Sequence, residues 1–203
     1  KSDFLTQGPI VPRLESGLAN IGKSRYATVV NSATSALHIA CLSLGVGEGD
    51  YVWTVPNSFV ASANCALYCG ASVDFVDIDS KTNNMSIEQL EEKLISAKKA
   101  QKLPKVVIPV HLAGEPCDMA AIKKLSLEYN FKIIEDASHA IGGTYQGSPI
   151  GSCEYSDVTV FSFHPVKIVT SGEGGAVLTN SPQLDQKLKL LRSHGITRDP
   201  AQM

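Results

Sequence analysis

The sequence has no excess of either charge. Its 18 Lys and Arg face 20 Asp and Glu, a formal net charge of −2 over 203 residues. That balance removes the broad positive field of a nucleic-acid binder or a polybasic membrane binder, so neither nucleic acid nor membrane is an expected partner. No apolar run approaches the roughly 20 residues that cross a bilayer, and Lys1 to Gln7 contain no apolar core of a secretory signal. Repeats, low-complexity tracts and charge blocks are lacking. Cysteine is sparse, with five residues at positions 41, 65, 69, 117 and 153. Their odd number and irregular spacing argue against a disulfide framework. Cys65 and Cys69 fall on one face of a helix, but no CxxC or HxxxH pattern adds ligands, so no metal site is expected. The expectation is buried, reduced thiols in a cytoplasmic protein. A P-loop and the spacing of a dinucleotide fingerprint are also missing.

What is present is an apolar fraction of 43%, too high for a disordered chain. Patterning alternates strand and helix. Strands are expected at Tyr26 to Asn31, Tyr51 to Val55, Val73 to Ile78, Val106 to Val110, Phe131 to Glu135, Val158 to Phe163 and Gly175 to Leu178. Helices are expected at Ala33 to Leu44, Ser58 to Cys69, Ser86 to Ala100, Asp118 to Tyr129 and Ser181 to Leu191. Ser86 followed by Gln89 resembles a capping box, with Ile87, Leu90, Leu94 and Ile95 forming the buried stripe. Such alternation implies βαβ units, hence an α/β fold with a mainly parallel sheet covered on both faces. Ligands then bind at the carboxyl ends of strands.

Three strand ends carry chemistry. In Ser162-Phe163-His164-Pro165-Val166-Lys167, a lysine follows a strand and precedes a run of small residues. Either it is an ordinary solvated lysine, or confinement lowers its pKa and makes the amine a nucleophile toward an aldehyde. In Ile133 to Ala140, an apolar strand runs into Glu135-Asp136 and then His139. Asp136 either caps the following turn or pairs with a protonated pyridine nitrogen; Glu135 reads as structural. Asn31-Ser32-Ala33-Thr34-Ser35-Ala36 joins a strand to a helix start, where free N–H groups suit either an ordinary N-cap or a phosphate.

Together with Phe59 to Asn64 and Glu173-Gly174-Gly175-Ala176, these stretches resemble the DegT/DnrJ/EryC1/StrS family of sugar aminotransferases, in the family's order and over nearly the whole chain. The resemblance implies the large domain of the fold type I aminotransferases, a mixed, mainly parallel sheet flanked by helices, with pyridoxal 5′-phosphate (PLP) as cofactor. Lys167 would carry PLP and shuttle a proton. Asp136 would pair with the pyridine nitrogen, His139 would hydrogen-bond the ring 3′ oxygen, and Phe59 would stack on the ring. Thr34, Ser35 and Ser162 would hold the phosphate. His38 and His111 read as structural, and His164 as a residue of the site mouth.

The lysine position distinguishes aminotransferases from family members that carry His there and act as 3-dehydratases. A His-Pro-Val before the Lys looks most like members that aminate C4 of a UDP-linked 4-keto-6-deoxy-N-acetyl sugar in pseudaminic acid biosynthesis, with glutamate as donor. A non-catalytic regulatory protein on the same fold is the competing class; loss of Lys167 or Asp136 would be its mark. The resemblance further implies a homodimer with shared sites and a small C-terminal domain. Few residues follow Lys167, and Ser193 to Met203 does not read as a natural tail, so residues 1–203 are expected to form a single large domain, an N-terminal fragment of a longer chain. Such a piece is expected to bind PLP poorly, dimerise incompletely, turn over little and expose an apolar face.

Overall fold

The structure, a computed structural model, describes Phe4 and residues 7–196; the expectations for the rest of Lys1 to Gln7 and for 197–203 lie outside the described residues. The chain runs α1 (Ile10–Gly22), β1 (Tyr26–Val30), α2 (Ala33–Ser43), β2 (Tyr51–Thr54), α3 (Ala61–Tyr68), β3 (Ser72–Phe75) and α4 (Ile87–Lys99). It continues through β4 (Val106–Val107), α5 (Met119–Tyr129), β5 (Lys132–Asp136), the hairpin β6 (Thr144–Tyr145) and β7 (Ser148–Pro149), β8 (Val158–Ser162), β9 (Gly175–Thr179) and α6 (Pro182–Arg192).

Seven strands form one sheet in the order β1-β9-β8-β5-β4-β2-β3. All neighbours from β8 to β3 pair in parallel, and β9 alone runs against its neighbours β1 and β8. The sheet is therefore mixed and mainly parallel, as the alternation implies. Alternate residues face opposite layers. Ile134, Val158, Val160 and Val177 pack against α2, α3 and α6, whereas Ile133 and Val107 pack against α4 and α5. Phe161, Ala176 and Leu178 meet Leu18 of α1 and Ile150 after the hairpin. Strands buried on both faces read as continuous apolar runs, which is why β8 and β9 are wholly buried.

Helix starts follow their caps. Ser32, Ser86, Asp118 and Ser181 each accept a hydrogen bond from the backbone N–H three residues on. At Ser86 only half of the capping box forms, because the Gln89 side chain turns to Glu92 and the Ser86 N–H goes to the Asp77 carbonyl. The helix expected from Ser58 starts instead at Ala61. Its cap, Val60, offers no side-chain acceptor, and the Asn57 side chain is spent on the Asn83 carbonyl, so 56–60 is a turn. The strand expected at Val73 to Ile78 stops at Phe75, beyond which only Ile78 bridges to Met85. Helix α1 is an addition to the elements read from the sequence; of its residues only Leu18 and Gly22 are buried, so its apolar stripe is thin.

The carboxyl ends of β1, β8 and β5 and the amino end of β9 meet at one edge. Gly175 opens β9 opposite both Val30 and Ser162. A Cβ on Gly175 would lie 2.5 Å from the Ala33 nitrogen. Only a glycine lets α2 begin so close to the sheet.

Candidate active site

A cavity of about 410 Å³ opens at this edge, lined among others by Ser32, Ala33, Phe59, Asp136, His139, Ser162 and Lys167. Five of the seven site residues expected from the sequence therefore converge. Thr34 and Ser35 are the exceptions: both are half-buried in the first turn of α2, one step behind the lining residues Ser32 and Ala33.

Asp136 ends β5 and is buried. Its carboxylate accepts hydrogen bonds from Ser62 Oγ at 2.7 Å, Ser138 Oγ at 2.6 Å and Ser138 N at 3.2 Å. An ionised carboxylate offers about four acceptor sites, so one remains for a further donor. Ser62 and Ser138 are additions to the site residues expected from the sequence. A strand-end acid followed two residues later by serine is the local signal for the second; Ser62 reaches the acid from α3 and has no local signal.

Glu135 points to the opposite face. It accepts from Ser156 and Thr159, each at 2.9 Å, and meets His111 Nε2 at 2.9 Å. His111 Nδ1 accepts the Cys117 N–H, so the ring is the Nε2–H tautomer donating to Glu135. Neither residue lines the cavity. His38 packs edge-on to Tyr68, also away from the cavity.

Lys167 lies half-buried on the loop between β8 and β9. A turn holds it, with its N–H donating to the His164 carbonyl. The loop is closed at its base by Phe163 N to the Gly174 carbonyl and Ser171 N to the Phe163 carbonyl. Lys167 Nζ is 2.7 Å from His139 Nε2. Burial lowers the Lys167 pKa, opposed by the charge of Asp136. Burial also lowers that of His139, with Lys167 adding to the effect and Asp136 opposing it. His164 and Glu173 sit at the mouth, 3.9 Å apart.

At the other end, Ser32 Oγ takes up the Ser35 N–H, and Ser35 Oγ accepts from Ser32 Oγ. Among the described residues, nothing takes up the N–H groups of Ala33 and Thr34, which open the helix. Free N–H groups at the positive end of a helix favour an anion. Phe59 and Val166 line the cavity at 72% and 78% exposure, and Val60, Ile168 and Val169, near them in the chain, are exposed as well. Cys41, Cys65, Cys117 and Cys153 are buried and Cys69 is half-buried; all five are free thiols. Among the described residues no group of three or more His, Cys, Asp or Glu could hold a metal, and no helix is long and apolar enough to cross a membrane.

The cavity thus offers an acid, an amine with a lowered pKa and an anion site. The sequence model of the DegT/DnrJ/EryC1/StrS aminotransferase family matches residues 1–203. The chain belongs to that family. The DegT/DnrJ/EryC1/StrS enzymes are PLP-dependent, and the donor set fits PLP: the acid for a pyridinium N–H, the amine for the aldehyde, the helix start for the phosphate. A UDP-4-amino-4,6-dideoxy-N-acetyl-beta-L-altrosamine transaminase of Campylobacter jejuni is 42% identical over 198 residues, 98% of this chain and 51% of its own length. The solved structure of Helicobacter pylori PseC, an aminotransferase involved in the biosynthesis of pseudoaminic acid, superposes with a TM-score of 0.87 at 34% identity, covering 98% of this chain and 52% of that one. A putative sugar aminotransferase of Streptococcus pneumoniae in its PMP form gives 0.85 at 31% identity, covering 98% and 54%. The chain spans about half the length of these relatives.

Proposed function

We propose that the protein, in its full-length form, transfers an amino group from glutamate to C4 of a UDP-linked 4-keto-6-deoxy-N-acetyl sugar, in nonulosonic (pseudaminic) acid biosynthesis. The observation that carries the reading is the pairing of Lys167 Nζ with His139 on the wall of a cavity that also holds Asp136. PLP, when bound, supplies the electron sink. Lys167 would hold it covalently and, once the incoming amino group has displaced the lysine, the freed amine would move a proton at the carbon that gains or loses nitrogen. Asp136 would accept the pyridinium N–H and so favour the cationic ring. His139 would donate to the ring oxygen, and Phe59 would cover the ring face. The Thr34 N–H and the hydroxyls of Ser35 and Ser162 would hold the phosphate. Thr34 and Ser35 act from the first helical turn, alongside the Ala33 N–H.

The UDP-sugar assignment is supported by the Campylobacter and Helicobacter relatives. The exposed apolar rim around the cavity supports a site completed by further protein, a second copy in a homodimer and a smaller domain. Free thiols support a cytoplasmic setting. The test is an amination assay of the full-length protein with glutamate and UDP-linked 4-keto-6-deoxy-N-acetyl sugars of both configurations. Amino-sugar formation from one of them is expected. Failure with both, alongside activity on a dTDP-linked keto sugar, would refute the substrate and leave the aminotransferase.

A further inference from the structure

The short 3-10 turn Leu112–Gly114 follows β4 and lies against the turn that carries His139. It is held on several sides. The buried Asn84 side chain accepts the Leu112 N–H at 3.1 Å and donates to the Glu115 carbonyl at 2.9 Å. His111 N–H donates to the Asp136 carbonyl at 3.0 Å. Ala113 and Gly114 have φ of 53° and 92°, a left-handed pair, and a Cβ on Gly114 would lie 3.0 Å from the His139 carbonyl oxygen. From this turn the Ala113 N–H donates to His139 Nδ1 at 3.3 Å.

A backbone N–H can only donate, so Nδ1 must be the bare nitrogen, and the neutral ring then carries its proton on Nε2. Nε2 faces Lys167 Nζ at 2.7 Å. An ammonium has three donors and no lone pair, so it would set donor against donor; the neutral amine accepts. We propose that the Leu112–Gly114 turn, stapled by Asn84, is a positioning element for the nucleophile: it fixes His139 as the Nε2–H tautomer and thereby selects Lys167 as the free amine. Neither Asn84 nor Ala113 touches the cavity; they act through His139. The proposal rests on the reading of Lys167 as the PLP-bearing residue, and it gives His139 the proton it needs to donate to a ring oxygen.

The charged and titratable groups facing the pair are Asp136 within the cavity and His164 and Glu173 at its mouth. His111, on the adjoining turn, faces Glu135 instead. Asp136 favours protonation of both partners, while burial disfavours it in both and prevails.

The test uses full-length protein labelled with ¹⁵N-histidine. Long-range ¹H–¹⁵N spectra report the tautomer of His139, assigned by its loss in His139→Asn. In parallel, PLP attachment is trapped with borohydride across pH and the modified lysine located by peptide mass. The wild type is expected to show Nε2–H. Asn84→Ala and Gly114→Ala are expected to give a tautomer mixture and to raise the pH midpoint of trapping by about one unit. An Nδ1–H tautomer in the wild type overturns the proposal, whether or not either variant folds. So does a variant that folds with tautomer unchanged, or one with tautomer changed and midpoint unmoved. Trapping at a lysine other than Lys167 would instead sink the reading of the nucleophile, a failure the tautomer spectra do not share.

Discussion

Substituting Gly175→Ala probes the anion end of the cavity most directly. Gly175 pairs with Val30 on one side and Ser162 on the other, so it cannot shift within the sheet without disturbing both strand ends. Its new methyl would meet Ala33 N and the Ser32 carbonyl carbon at 2.5 Å and the Ser32 carbonyl oxygen at 2.6 Å. All three are backbone atoms. Reaching ordinary contact at 3.4 Å requires the start of α2 to retreat by about 0.9 Å. Forcing a methylene-sized group into a packed site costs about 1–3 kcal/mol. That retreat also withdraws the free Ala33 and Thr34 N–H groups, so PLP affinity should fall by about 10–100-fold, the equivalent of roughly 1.4–2.8 kcal/mol. Absorbance titration of the full-length protein with PLP, beside urea unfolding, measures both effects. Gly47→Ala is the control, since Gly47 is outside the cavity lining and its methyl would meet nothing within 4 Å. Wild-type affinity and stability in Gly175→Ala would refute the close approach of helix to sheet as the basis of the anion site.

Other perturbations separate the two faces of β5. Ser62→Ala removes a 2.7 Å bond to Asp136 from a buried hydroxyl, and is expected to weaken PLP binding about tenfold by titration, with a stability loss of about 1 kcal/mol; unchanged binding would show that the acid is positioned without it. Glu135→Ala removes the acceptor shared by the buried His111, Ser156 and Thr159 donors, and at about 1–3 kcal/mol per unsatisfied donor urea unfolding should record a loss of about 3–5 kcal/mol. A loss below about 1 kcal/mol would contradict the network's role. The lowered pKa of Lys167 has its own sign: between its folded value and the ordinary 10.5 the unfolded chain binds more protons. Stability of the cofactor-free protein should therefore rise with pH through that window, and Lys167→Met should flatten the rise; an unaltered slope would show that the amine is not desolvated.

Most of the fold is legible in the sequence because its elements carry local marks. Ser32, Ser86, Asp118 and Ser181 announce helix starts, and doubly buried strands are apolar throughout. The late start of α3 is less legible, since Asn57 and Ser58 look like caps but spend their side chains elsewhere. The reversed direction of β9 is set by pairing with β1 and β8 and leaves no periodicity of its own. The places of Lys167, Asp136 and His139 on the cavity wall are legible because each lies at or beyond a strand's carboxyl end. Ser62 and the Asn84-stapled turn are not, because they reach the site across the fold, over 74 residues of chain in the case of Ser62. The phosphate end is legible as a segment: Ser32 and Ala33 line the cavity, and Thr34 and Ser35 stand directly behind them in the first turn of α2.

The central claim is that Lys167 carries PLP above Asp136. It is tested most directly by titrating full-length protein with PLP, reducing with borohydride and mapping the modified peptide. The account predicts one phosphopyridoxyl group on Lys167, lost in Lys167→Ala and weakened in Asp136→Ala. Modification of a different lysine, or saturable PLP uptake with no covalent attachment to any, would contradict it.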